Sequence, residues 1–290
     1  MFSQPLAAIV QQDCSLAEHC WLKIGGTAKY FAEIANADLL AHACREAAEN
    51  NLAVRVLGGG SNLLIRNDIV DGLVIKLTGN FETIEVLDGR IRAGAAASLG
   101  EVISRSAEKG LAGLEHLAGI PGSVGAAVVS NSGIKNDDLG SKVQKVSGIN
   151  RDGELVDIER AEMKFGYRRS NLDHLILTSV ELKVEELAPE EVTRRLQANW
   201  IVQKAAQPPE DDRIAQAFIE PSGWRIAELL EAAGMKSASE GEVSMHPSYP
   251  GFLCVNSGAT AAEVLSLMDR ISKAVEVQFG IQLQPQLKIW

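Results

Sequence analysis

Two periods of apolar residues alternate along this 290-residue chain. Helical spacing places Leu39, Leu40, Ala43 and Ala47 on one face of a segment predicted over 38–51, with Asp38 as its cap. Leu99, Val102, Ile103 and Ala107 repeat the pattern after Ser98, and Gly110 supplies a stop. Three more helices are predicted: from Pro189 to about Ala206, over 222–233 before Gly234, and over 261–279 before Gly280. Pro189 suits a first helical position, and Thr260-Ala-Ala-Glu263 reads as a capping box. Strand formers gather at 30–34, 54–57, 64–65, 73–77, 83–86, 90–93, 142–150, 155–158, 175–184 and 282–289. Residues 67–72 read as a turn and 207–213 as a polar loop. The chain therefore mixes strands with helices along its whole length.

Two glycine-rich segments interrupt these periods. In Leu57-Gly-Gly-Gly-Ser-Asn-Leu63 a β-branched run enters three glycines. Without Cβ atoms the bend can take φ > 0 and let a ligand approach its N–H groups, which form a concave anion nest. Ser61 and Asn62 add short side-chain donors, so the chemistry suits a phosphate or pyrophosphate. It is not a dinucleotide fingerprint of the G-x-G-x-x-G kind, because Leu63 stands where the third glycine belongs and a strand follows. A Walker lysine is also missing. The second segment, Leu117-Ala-Gly-Ile-Pro-Gly-Ser-Val-Gly125, spaces Gly119, Gly122 and Gly125 by three. It reads either as close packing of a small-residue helix start or as a second set of backbone donors facing the same ligand.

Charge and composition narrow the classes. A net charge of −10 disfavours nucleic acid as a partner. No run of about 18 apolar residues occurs, so no membrane span is expected. The N-terminus lacks a basic region followed by a cleavable apolar stretch, and the expected location is cytoplasmic. Cys14, Cys20, Cys44 and Cys254 form no C-x-x-C, and the five histidines are scattered, so reduced thiols and no metal site are expected.

The ordered segments Leu22-Lys-Ile-Gly-Gly-Thr-Ala28, Leu57–Ile65, Gly113–Gly125, Phe165-Gly-Tyr-Arg168 and Gly241-Glu-Val-Ser244 resemble the UDP-N-acetylenolpyruvoylglucosamine reductase (UDP-N-acetylmuramate dehydrogenase) family over nearly the whole chain. The length fits the short branch of that family. The resemblance implies a two-subdomain FAD-binding fold of the vanillyl-alcohol-oxidase type plus a C-terminal α+β substrate domain. The matching boundaries are 1–80, 81–187 and 188–290, the last strand either staying with the third block or returning to the first. It implies FAD as cofactor and NADPH as hydride donor, with Gly58, Gly59, Gly60, Ser61, Asn62, Leu63, Ile120, Gly122, Ser123 and Gly125 around the cofactor. It also implies a UDP-sugar substrate of peptidoglycan synthesis, no membrane span, and a monomer or weak oligomer. Arg168 would clamp the substrate carboxylate, and Tyr167 would support the same pocket.

Departures from the family pattern concentrate on proton transfer. Aligned through Phe218 and Pro221, the family's serine proton donor falls on Gln216. Its glutamate in the closing strand falls on Gln286. A carboxamide donates hydrogen bonds but serves as neither acid nor base near neutral pH. Two readings follow: an FAD-dependent reductase with substituted catalytic positions, or a catalytically degenerate paralogue that binds FAD or a nucleotide without this activity.

Overall fold

The strand-forming runs before residue 184 fold into two main sheets. The structure, a computed structural model, describes residues 2–66, 68–134, 137–208 and 213–290. Contacts divide the chain into two units. The first gathers residues up to 14, 28–59 and 71–203; the second gathers 15–27, 60–70 and 204–290.

A four-stranded sheet, in the first unit apart from a few strand-end residues, runs in the order Gln11–Ser15, Thr27–Ile34, Ile69–Leu77, Val54–Leu57. Val54–Leu57 pairs parallel with its neighbour, Val54 opposite Leu73 and Leu57 opposite Lys76. The chain therefore leaves this strand on a crossover, and the crossover begins with the glycine run. The five-stranded antiparallel sheet has the order Leu155–Glu159, Val143–Ile149, Ile176–Lys183, Arg90–Gly94, Ile84–Leu87. Arg92 lies directly opposite Glu181 in this sheet. The buried Glu181 carboxylate accepts from Arg92 Nη2 at 2.7 Å and Arg90 Nη1 at 3.0 Å, which compensates its burial. Both sheets share one apolar core with helices Ala37–Glu49, Leu99–Glu108 and Val124–Val129.

The second unit has a four-stranded antiparallel sheet, ordered Ile214–Gln216, Phe252–Val255, Val243–Met245, Ser239–Glu240. Val264, Leu267, Met268, Ile271 and Val275 form one stripe of helix Ala261–Phe279 and share a core with Val243, Leu253 and Leu230. Leu22, Ile24 and Leu64 complete that core. Lys288–Ile289 pairs parallel with Leu63–Leu64. Among the described residues no helix is long and apolar enough to cross a membrane.

Several boundaries shift from the sequence expectation. Asn36, not Asp38, caps the first helix, its Oδ1 accepting from the Leu39 amide at 2.9 Å. Helix 222–233 contracts to Ile226–Ala232, because Gly223 has φ +83° and no α-helix continues through it. The strand expected over 282–289 is reduced to Lys288–Ile289 plus a single bridge from Pro285 to Phe218. Proline donates no ladder bond, which interrupts the pairing. Gly72 lies inside strand Ile69–Leu77 rather than at a turn; its φ of +96° and the approach of the Ala53 carbonyl leave no room for a side chain. Asn67, at the start of the expected turn, and 209–212 of the polar loop lie outside the described residues.

Candidate active site

The first glycine segment changes role within three residues. Gly60 has φ +66°, and a Cβ there would collide with the His19 carbonyl oxygen. Its own carbonyl accepts from the Trp21 amide at 3.1 Å, so this position is closed to other residues and tied to the 15–27 segment of the second unit. Gly58 and Gly59 belong to the first unit and face the second glycine segment. A methyl on Gly58 would stand 3.0 Å from Ser123 Oγ, and one on Gly59 would stand 3.3 Å from Gly122 Cα.

The second segment is stitched to the five-stranded sheet. Leu99 N donates to Gly122 O at 3.0 Å, Val124 N to Ala97 O at 2.9 Å, and Gly125 N to Ala95 O at 2.8 Å. Gly125 packs so closely that an added Cβ would lie 2.9 Å from Ala95 Cβ, which is the packing role expected of a small-residue helix start. Gly122 supplies the bend with φ +115°. The Ile120 amide is committed to Leu117 O at 3.2 Å. By contrast, among the described residues the amides of Gly59, Gly122 and Ser123 donate to no protein acceptor. Two backbone bends thus meet in one unit with donors unspent, the arrangement of an anion nest.

Arg168 stands at the tip of a hairpin whose arms, Phe165–Gly166 and Arg169–Ser170, pair Gly166 with Arg169. Its φ is +56°, uncommon for a side-chain-bearing residue, and its Nε is buried without a hydrogen-bond partner. The guanidinium lies 5.8 Å from the Tyr167 ring centre, and Tyr167 is nearly half exposed. A strained arginine with an unspent buried donor, beside a solvent-facing aromatic, is suited to a planar anion.

Behind this hairpin lies a residue that the sequence pattern does not single out. The Asn131 side chain, 2% exposed, donates to Gly166 O at 2.8 Å and Asp138 Oδ2 at 2.9 Å and accepts from Gly140 N at 2.9 Å. The available signal is polar: Ser130-Asn-Ser-Gly133 ends an apolar helix that the core buries. Glu115 and His116 are two further polar residues to which the sequence pattern assigns no role. Glu115 Oε2 accepts from the Gly113 amide, while Glu115 Oε1 and His116 Nε2 are buried without a hydrogen-bond partner.

In the second unit, Gln286 N donates to Ala217 O at 2.9 Å, so Gln286 pairs with the residue after Gln216. Asn62 Nδ2 donates to Gln286 O at 2.8 Å. One amide hydrogen of Asn62 therefore serves the closing strand, leaving one for the ligand role assigned from sequence. Ser61 and Leu63 flank it, Leu63 opposite Lys288 in the parallel pair. Among the described residues no cluster of metal-ligating side chains occurs.

Comparison with known proteins places the whole chain in one family. A family described as FAD binding domain matches residues 28–159. A second, described as UDP-N-acetylenolpyruvoylglucosamine reductase, C-terminal domain, matches residues 207–290. UDP-N-acetylenolpyruvoylglucosamine reductase from Rhodopirellula baltica is 37% identical over 290 residues, covering 100% of this chain and 95% of that one. A second relative, reductase 2 of Symbiobacterium thermophilum, is 33% identical over 95% of this chain and 90% of its own. The crystal structure of the reductase (MurB) from Thermus caldophilus superposes with a TM-score of 0.82 at 30% identity, covering 97% of this chain and 98% of that one. 6-Hydroxy-D-nicotine oxidase from Arthrobacter nicotinovorans, at 14% identity and a TM-score of 0.64, shares the fold.

Proposed function

Because this chain belongs to the UDP-N-acetylenolpyruvoylglucosamine reductase family, we propose that it carries out the FAD-dependent, NADPH-linked reduction of UDP-N-acetylglucosamine enolpyruvate to UDP-N-acetylmuramate. The step belongs to peptidoglycan precursor synthesis in the cytoplasm. The observation that carries the reading is the meeting of Gly58–Gly59 with Gly122–Ser123, where a Cβ would fill the space and three amides remain unspent. That cradle fits a pyrophosphate. Gly58, Gly59, Gly122 and Ser123 would hold it through backbone N–H groups, with Gly125 and Ile120 setting the bend. Within the second unit, the continuation of the first loop carries Ser61 and is held by Gly60, Asn62 and Leu63.

When bound, FAD would supply the hydride chemistry that links NADPH to the enolpyruvyl double bond. The remaining chemistry falls to the protein. Hydride addition leaves an electron pair beside the substrate carboxylate, and the charge spreads onto that carboxylate. Arg168 binds the carboxylate and stabilises the charge as it grows, with Tyr167 against the same substrate. A proton must then reach the adjacent carbon. Gln216 and Gln286 occupy the positions assigned to acid chemistry, and neither side chain can release that proton near pH 7. The Gln216 carboxamide can orient a water, which then supplies it.

This substitution favours one alternative, a degenerate paralogue that holds FAD without reducing the enolpyruvyl sugar. Stopped-flow spectroscopy separates the two. Flavin bleached by NADPH and reoxidised by the enolpyruvyl nucleotide supports the reductase. Bleaching without reoxidation supports the paralogue, and colourless protein that refuses FAD refutes both. Loss of a positioned proton donor costs about 10²–10⁴-fold in rate. The double variant Gln216→Ser with Gln286→Glu is therefore expected to speed reoxidation by a factor in that range. An unchanged rate would show that these positions do not limit proton transfer.

A further inference from the structure

The hairpin that carries Arg168 is too short to hold its own shape. Each arm has two residues, and an isolated hairpin of this size is not stable in water. Arg168 also occupies the left-handed region, so the tip lies above its backbone minimum. Something outside the hairpin must fix it. On one arm, Ser170 Oγ donates to Val129 O at 2.8 Å. The other arm is held at Gly166 O, next to the Tyr167-Arg168 tip, by the Asn131 carboxamide.

We propose that Asn131 is a positioning residue that fixes the Arg168 guanidinium for the substrate carboxylate. The inference rests on the reading of Arg168 as the carboxylate clamp. Asn131 spends both amide hydrogens and its oxygen on two segments: Gly166 of the hairpin, and Asp138 with Gly140 at the turn Leu139–Ser141. Asp138 is itself fixed, its Oδ1 accepting from the Ser141 amide at 3.2 Å and its carbonyl from Ser141 Oγ at 2.7 Å. Gly140 is part of the device, because a Cβ there would stand 2.7 Å from Asn131 Oδ1 and run into the Phe165 ring. Asn131 adopts φ +46°, a conformation that asparagine tolerates better than most side chains. A neutral side chain with two donors and one acceptor is what the three partners need. Leucine offers neither donors nor an acceptor, and an ionised aspartate would set like charge against Asp138.

The test uses the oxidised holoenzyme titrated with UDP-N-acetylglucosamine enolpyruvate by calorimetry. Flavin content, thermal midpoint and the NADPH bleaching rate are measured alongside. Asn131→Asp keeps the acceptor and loses the donors. It is expected to weaken affinity about tenfold, the scale of one lost buried hydrogen bond, with flavin content and bleaching rate unchanged. Asp138 raises the pKa of the introduced carboxyl. Affinity relative to wild type should therefore recover as pH falls and the protonated carboxyl donates to Gly166 O. In an Arg168→Ala background the same change should cost little more. Asn131→Gly, which keeps the left-handed backbone, should weaken affinity at every pH and serves if the aspartate variant does not fold. The proposal is overturned if Arg168→Ala weakens affinity while both Asn131 variants bind as wild type. It is equally overturned if their losses track flavin content and thermal midpoint with no pH recovery in Asn131→Asp. If Arg168→Ala binds as wild type, or wild type does not bind, the clamp reading fails and takes this inference with it.

Discussion

His116 shows how competing local effects settle a charge state. Its ring is nearly enclosed, and burial pushes its pKa below the usual 6.5. The Asp137 carboxylate, 3.4 Å from Nε2, pulls the other way, as do Glu115 and Asp138, while Lys142 adds to the downward pull. The net direction is down, so at neutral pH the ring is neutral and its approach to Asp137 is not an ion pair. The folded form then resists a proton that the unfolded chain accepts. The associated stability is complete above pH 6.5 and is lost as pH falls through that value toward the lowered folded one. The thermal midpoint should drop between pH 7.5 and 5.5, and His116→Phe should flatten that drop; equal slopes by calorimetry would refute the assignment. None of this is legible along the chain, where His116 is one of five scattered histidines. The contact from Asn62 to Gln286 is hidden for the same reason, since it spans 224 positions. The assignment of Gln216, by contrast, rests on Phe218 and Pro221, which lie within a few residues of it.

Elements were legible where their signals are local. Helix Ala261–Phe279 matches its predicted limits because both ends are written into neighbouring residues. Thr260 Oγ1 accepts from the Glu263 amide, the Glu263 carboxylate accepts from the Thr260 amide, and Gly280 takes φ +68° at the other end. Thr260→Ala removes half of this box and is expected to cost about 1 kcal/mol, a shift of roughly 2–4 °C in thermal midpoint. A midpoint within 0.5 °C of wild type, taken about as the error of such scans, would show the cap to be idle. The closing segment behaves differently. Its alternation reads as one strand over 282–289, yet Pro285 faces a partner near residue 218 while Lys288 and Ile289 face Leu63 and Leu64. A strand that changes partner has no one-dimensional signature. The cradle falls between these cases: each glycine segment is legible alone, and their meeting depends on Ala95, Ala97 and Leu99 holding the second one.

At the scale of the whole molecule, buried thiols report on each unit separately. Cys44 lies in the core of the first unit and Cys20 in the 15–27 segment of the second, each 1% exposed. Burial pushes both thiols up to about 11, so neither is a nucleophile at pH 8 even if reagent reaches it. Cys14 and Cys254 are partly exposed. No reading along the chain draws residues 15–27 and 60–70 to the C-terminal core; Leu22, Ile24 and Leu64 do so by burial at positions that give no local periodic signal. The first core joins two main sheets and three helices, the second one main sheet, the short strand of Leu64 and two helices. More buried apolar surface means more stabilisation, at about 25 cal/mol per Å². Protection of Cys20 should therefore fail at lower urea than protection of Cys44. Pulse labelling with a thiol reagent, resolved by peptide mass, reads the two directly. Coincident midpoints for the two thiols would show that the units melt as one cooperative block, whatever the difference between their cores.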